Sequence, residues 1–214
     1  MPSAIAVIDF ETSGISPSLG DRATEVAVVI TEQGQVVDRF QSLMNAGVHI
    51  PSFITQLTGI TNEMVACAPR AEAVMRDAAR FVGAVPMVAH NASFDRRFWA
   101  SELALAGLEA PHAFACTVLL SRRLYPQAPS HKLGVLVDLF RLPRTGQAHR
   151  ALADAEMAAE LLGRIQHDLR TQHGVARPDH GVLMELQRCS RQQLPRFFST
   201  QRAAASEALS SSAL

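Results

Sequence analysis

The chain is short of cysteine, of net charge and of long apolar runs, and each shortage removes a class of protein. Cys67, Cys116 and Cys189 are odd in number, far apart and without a C-x-x-C pair. Neither a disulfide framework nor a zinc site is indicated, and reduced thiols are expected. Basic and acidic residues balance at 20 each, unlike a protein that grips a long duplex through its phosphates. No apolar run could span a bilayer, and the first residues lack the basic and apolar regions of a signal peptide. A cytoplasmic protein without a membrane partner is expected. With 214 residues, 48% of them hydrophobic and no internal repeat, the chain can bury one core and needs no second.

What is present is an unusual set of acids. In AIAVIDFETSG, Asp9 and Glu11 end an apolar run. On a strand, residues i and i+2 share a side, so both carboxylates point one way, with Ile5 and Val7 behind them. Such a pair is costly unless a hard divalent cation sits between the oxygens, and the alternative is a solvated strand end turning at Ser13-Gly14. Two more acids head helices. Asp95 follows the short strand around Met87–Ala89 and the N-cap candidate Asn91, and Phe98, Trp99, Leu103 and Ala106 continue its stripe. Ala158, Leu161 and Ile165 do the same from Asp154. A buried, unpaired Asp is unfavourable, so four inward acids with one shared cause are the simpler account. His149 lies five residues before Asp154, where an imidazole can approach the acids without being a ligand and accept a proton from water. His49, His112, His167, His173 and His180 lack such company and are expected at the surface or in loops.

Three segments, Asp9 to Gly14 (DFETSG), His90 to Asp95 (HNASFD) and His149 to Asp154 (HRALAD), together with LTGITNEMV from Leu57 to Val65, resemble the motifs of the DEDDh 3′→5′ exonucleases. The likeness is to the proofreading epsilon subunit of bacterial DNA polymerase III and its free-standing relatives, and it runs from about Ala4 to Asp168. It implies an α/β, ribonuclease H-like fold, a mixed β-sheet flanked by α-helices. It further implies two Mg²⁺ or Mn²⁺ ions held by Asp9, Glu11, Asp95 and Asp154, with His149 as general base. Thr12 would lie beside the terminal nucleotide, and Leu57 and Phe94 would be apolar walls against its base and sugar, unless these two are ordinary core residues. Ser13 stands where the family usually has a second Thr, and Cys116 precedes Thr117 where Asp-Thr is usual.

The implied function is a metal-dependent 3′→5′ exonuclease that releases nucleoside monophosphates, DNA being the expected substrate in proofreading or repair. Exoribonuclease action on RNA and a non-catalytic, polymerase-associated binding subunit are the alternatives. The partners are single-stranded or frayed 3′ ends, since a few terminal nucleotides demand little net charge; a DNA polymerase or sliding clamp is a further partner to consider. Local basic clusters occur at Arg96-Arg97, Arg122-Arg123, His131-Lys132, Arg141 to Arg144 and Arg150.

The pattern predicts strands near 4–10, 24–31, 35–44, 86–89 and 113–116, and helices near 51–57, 71–82, 92–106, 117–124, 132–140 and 150–170. Residues 1–173 are read as the exonuclease domain and 174–214 as a helical, then frayed, tail. In that tail a helix near 180–193 ends at Pro195. Gln193 to Phe198 loosely resembles a clamp-docking peptide, the alternative being an amphipathic tail packed on the domain.

Overall fold

The structure, a computed structural model, describes residues 4–144, 146 and 149–211, and only the backbone of 204–211. Its strands are β1 (Ile5–Thr12), β2 (Ala23–Glu32), β3 (Gln35–Leu43), β4 (Met87–Ala89) and β5 (Phe114–Cys116). They form one sheet in the order β3-β2-β1-β4-β5, with β1–β2 and β2–β3 antiparallel and β1–β4 and β4–β5 parallel. The helices are α1 (Ser52–Thr58), α2 (Asn62–Ala66), α3 (Ala71–Val82), α4 (Ala92–Leu105), α5 (Thr117–Leu124), α6 (Leu133–Leu139), α7 (Ala151–Thr171), α8 (His180–Leu186) and α9 (Leu194–Ser211). This is the mixed sheet flanked by helices that the alternation of the two periods predicts.

Two apolar layers sandwich the sheet. Ile5 and Val7 of β1 face one layer, which includes Ala155, Leu162 and Ile165 of α7, while Ala6, Ile8 and Phe10 face the other, with Val74 of α3 and Phe98 and Trp99 of α4. The period of two along β1 therefore sends alternate residues to different helices. Small residues let α7 lie close to the sheet. A Cβ on Gly163 would come within 3.2 Å of the Gly34 carbonyl in the β2–β3 turn, and Gly34 itself has φ +81°.

Several local expectations are corrected. β1 extends to Thr12 rather than stopping near residue 10, so Glu11 is a paired strand residue opposite Glu25. Asn91 occupies the N-cap position of α4 but makes no side-chain cap bond; it adopts φ +72°, which Asn tolerates better than most residues. His180 is a core residue, 8% exposed, with Nε2 2.9 Å from the Met87 carbonyl oxygen. Its surface assignment fails because that carbonyl needs a partner in the interior. Pro195 does not end a helix but sits in the first turn of α9, where its missing N–H costs nothing.

The stretch beyond residue 173 is tied to the same core, since Val175, Leu183, Leu186 and Phe198 pack in the cluster that contains Ile5 and Val7. Phe198 also stacks on His173 with ring centroids 4.2 Å apart. Its burial occupies an aromatic residue that a clamp-docking peptide would have to present. α9 reaches Ser211, and residues 212–214 lie outside the described residues.

Candidate active site

The acids buried or half-buried in this fold include two contrasting sets. Three are neutralised by arginine. Glu25 accepts from Arg150 Nε and Nη2 at 3.1 and 2.8 Å, from Ala151 N at 3.1 Å and from Gln41 Nε2 at 2.8 Å. Glu102 accepts from Arg22 Nε and Nη2, both at 2.9 Å, and from Ala23 N. Asp168 accepts from Arg164 Nε at 2.8 Å and from the Tyr125 hydroxyl at 2.9 Å. Asp9, Glu11, Asp95 and Asp154 form the other set, and among the described residues none of them has an ion pair with Lys or Arg.

Three elements bring the unpaired set together. β1 carries Asp9 and Glu11, the first turn of α4 carries Asp95, and the first turn of α7 carries Asp154. Burial, then repulsion from Asp95, Glu11, Asp154 and Glu25, holds the Asp9 carboxyl well above the ordinary carboxylate range. Glu11 is pushed up to about 8, chiefly by burial and next by Asp154 and Glu25, with Arg150 opposing. Burial raises Asp95 against the N–H groups of Asp95 and Phe10, and raises Asp154 against the N–H of His149. Like charges gathered without an ion-paired Lys or Arg fit a divalent cation site. The donor atoms of Glu11, His149 and Asp154 also lie within 4.8 Å of one another. That grouping contains His149, which the sequence reading kept out of the ligand set.

His149 is exposed and has φ +61°, a left-handed conformation that is unfavourable for a residue with a Cβ. Its N–H donates to Asp154 Oδ2 at 3.1 Å, which ties the segment before α7 to one of the acids. The adjacent Arg150 is anchored on Glu25, so one buried ion pair fixes the start of α7 on β2. Sequence reasoning missed this pair and counted Arg150 among the local basic clusters. The available signal was an acid inside the apolar run of β2, where charge is rarely buried without a partner. Replacing Arg150 with Met should strand the Glu25 charge, whose side chain is 1% exposed, and lower unfolding free energy by about 3 kcal/mol. Urea denaturation checks this, and an unchanged midpoint would mean that the pair contributes nothing.

Beside the acids lies a pocket of ≈270 Å³ whose lining includes Glu11, Thr12, Ile54, Leu57, Phe94 and Asp154. Leu57 is 51% exposed, so it is not a core residue. Phe94 is half-buried against Phe98, with ring centroids 4.9 Å apart. Thr12 is buried and its Oγ1 donates to the Gly14 carbonyl at 2.5 Å. A Cβ at Gly14 would sit 2.3 Å from the Asp21 carboxyl, so a larger residue there would have to displace Asp21 from its bond to Ser16 N. The structure thus brings Thr12, Leu57 and Phe94 to one cavity with Asp9, Glu11 and Asp154.

A model of the exonuclease family of RNase T type matches residues 6–162. The chain is 40% identical over 165 residues to the 3′-5′ exonuclease DinG of Bacillus subtilis (strain 168), covering 77% of this chain and 18% of that protein. It is 37% identical over 164 residues to the PolC-type DNA polymerase III of the same organism, covering 76% of this chain and 11% of that one. The chain therefore spans less than a fifth of the length of these curated relatives. Exonuclease X, solved in complex with 5′ overhanging duplex DNA, superposes with a TM-score of 0.67 at 28% identity, over 86% of this chain and 99% of that one. A 3′-exonuclease solved for its recognition of histone mRNA stem-loop has a TM-score of 0.68 at 19% identity, over 78% and 83%, which establishes a shared fold.

Proposed function

The chain belongs to the exonuclease family, and from that premise we propose that it is a metal-dependent 3′→5′ exonuclease that removes terminal nucleotides from DNA. One observation carries the reading: Asp9, Glu11, Asp95 and Asp154 converge unpaired while the buried Glu25, Glu102 and Asp168 each have an arginine. These four would hold two Mg²⁺ or Mn²⁺ ions, which when bound supply Lewis acidity for phosphodiester hydrolysis. His149 takes the proton of the attacking water, as general base. Leu57 and Phe94 wall the terminal base and sugar, and Thr12 shapes the pocket floor next to Glu11. Positioning of one nucleotide in this pocket makes the attack effectively unimolecular.

DNA is favoured because Exonuclease X holds duplex DNA in its structure and the PolC-type relatives are DNA polymerases. The latter also support association with a polymerase, in which this chain would act as the trimming module. A purely binding role is disfavoured, since all five positions carry competent side chains. Among the described residues no helix is long and apolar enough to cross a membrane.

The test is digestion of 5′-labelled single-stranded DNA, mismatched duplex and RNA with Mg²⁺ or Mn²⁺. We expect a ladder that shortens from the 3′ end, faster on a mismatched than on a paired end because the unpairing energy is already spent. A blocked 3′ end should protect, and excess EDTA should stop the reaction. Cleavage of a closed circular single strand at the same rate would establish an endonuclease and overturn the assignment; RNA degraded faster than DNA would overturn the substrate.

A further inference from the structure

Between β3 and α3 the chain makes an excursion, residues 46–69, that carries α1 and α2 and with them one wall of the small pocket, Ile54, Leu57 and Thr58. Its two ends are fastened together. Asn45 and Arg70 form an isolated parallel bridge, in which Asn45 N donates to the Pro69 carbonyl at 2.8 Å and Ala71 N to the Asn45 carbonyl at 2.9 Å. Inside the excursion, Ile50, Ile60 and Val65 make a small core with Leu43 and Ile54 packed against it, separate from the two layers on the sheet.

α1 has seven residues, too few to hold a helix in water unaided, so the wall it presents depends on what fixes its two ends. At the far end Gly59 turns the chain at φ +73°, with its N–H on the Thr55 carbonyl at 2.8 Å. Thr58 Oγ1 donates to the Ile54 carbonyl at 3.0 Å and accepts from Ile60 N at 3.1 Å. The near end is held by Asn62, the first residue of α2. Its Oδ1 accepts from Ile50 N at 2.8 Å and its Nδ2 donates to the Ile50 carbonyl at 3.0 Å. One amide thus pairs both backbone groups of the residue beside Pro51, the N-cap of α1, and it does so without lining the pocket itself.

We infer that Asn62 is a positioning residue for the terminal nucleotide: by joining the heads of α1 and α2 it holds Ile54 and Leu57 in place across from Phe94 and Thr12 before substrate arrives. A wall that is already ordered spares the nucleotide the cost of ordering it. This rests on the nuclease reading of the site and adds what makes its nucleoside wall rigid. The excursion carries none of the four converging acids, which stand on β1, α4 and α7. Recognition of the nucleoside and handling of its phosphate are therefore fixed by separate elements, and a change at Asn62 acts on the first alone.

Competitive inhibition of oligothymidylate cleavage by dTMP and by inorganic phosphate, with Mg²⁺, tests it. For Asn62→Ala we expect the inhibition constant of dTMP to rise about tenfold, the scale of one or two lost hydrogen bonds and a segment left to be ordered on binding, while that of phosphate stays within about twofold. Asn62→Asp keeps the acceptor for Ile50 N and should fall between wild type and Asn62→Ala; it gives the same comparison should the alanine variant not fold. In an Ile54→Ala/Leu57→Ala background the wall is already missing. Adding Asn62→Ala there should raise the dTMP constant by less than about twofold, because a residue that acts through the wall has nothing left to position. Phosphate weakened as much as dTMP would mean a merely structural role and overturn the inference. A dTMP constant unmoved by both Asn62 variants, or a full effect in the background without the wall, would overturn it too, and in all these cases the nuclease reading would stand. A wild-type protein that shortened no oligonucleotide would overturn both.

Discussion

Asp9→Asn should lower the single-turnover cleavage rate by on the order of 10³-fold, the scale for removing a preorganised electrostatic group, and should at the same time stabilise the metal-free protein. The two effects have one cause. The carboxyls of Asp9 and Glu11 are raised by burial and by their neighbours. Stability from such raised groups is complete below their unfolded pKa values near 4 and is lost as pH rises through the folded values, to about 8 for Glu11. In EDTA the wild-type melting temperature should therefore decline between roughly pH 4.5 and 8, beyond the general trend of the protein. Adding Mn²⁺ should restore it, most strongly at the alkaline end, where binding to the native state has the most repulsion to offset. Asp9→Asn removes one charge without changing shape, so its melting temperature in EDTA at pH 8 should exceed that of wild type, and the Mn²⁺-induced rise should shrink. Melting curves in a pH series check this. A wild-type protein indifferent to both pH and Mn²⁺ would remove the acids from any cation site. Glu11→Gln, Asp95→Asn and Asp154→Asn should behave alike, because function here is bought with native-state repulsion.

His149→Ala should slow cleavage by about 10²- to 10⁴-fold, the range for a general base, with the protein still folded, since the side chain is exposed. Metal affinity decides what the loss means. The imidazole lies in one group with Glu11 and Asp154, close enough to serve as a ligand, whereas the proposed role is proton acceptance alone. We expect Mn²⁺ titrations of the variant to match wild type to within about threefold, against the 10- to 100-fold typical when a coordinating arrangement is damaged. Affinity lost in parallel with rate would make His149 a ligand. An unchanged rate with unchanged affinity would assign the proton to another acceptor.

The sequence by itself determined whatever follows from local periodicity. The period-two run through Val7 placed Asp9 and Glu11 on one face of β1, and the stripes through Leu103 and Ile165 turned Asp95 and Asp154 inward at the heads of α4 and α7. Motif spacing carried the family. Tertiary structure alone decided which charges are spent: nothing local distinguishes Arg122, which is exposed, from Arg123, which donates to the Cys189 carbonyl 66 residues away, or Arg150, whose partner Glu25 is 125 residues away. The same holds for His180, drawn into the core by the Met87 carbonyl, and for Pro195, which starts α9 instead of ending its predecessor. Periodicity reports the face a residue occupies relative to its own helix or strand axis. Neutralisation of a buried charge is a contact across the chain, and only the packed fold sets which side chains come within hydrogen-bonding reach.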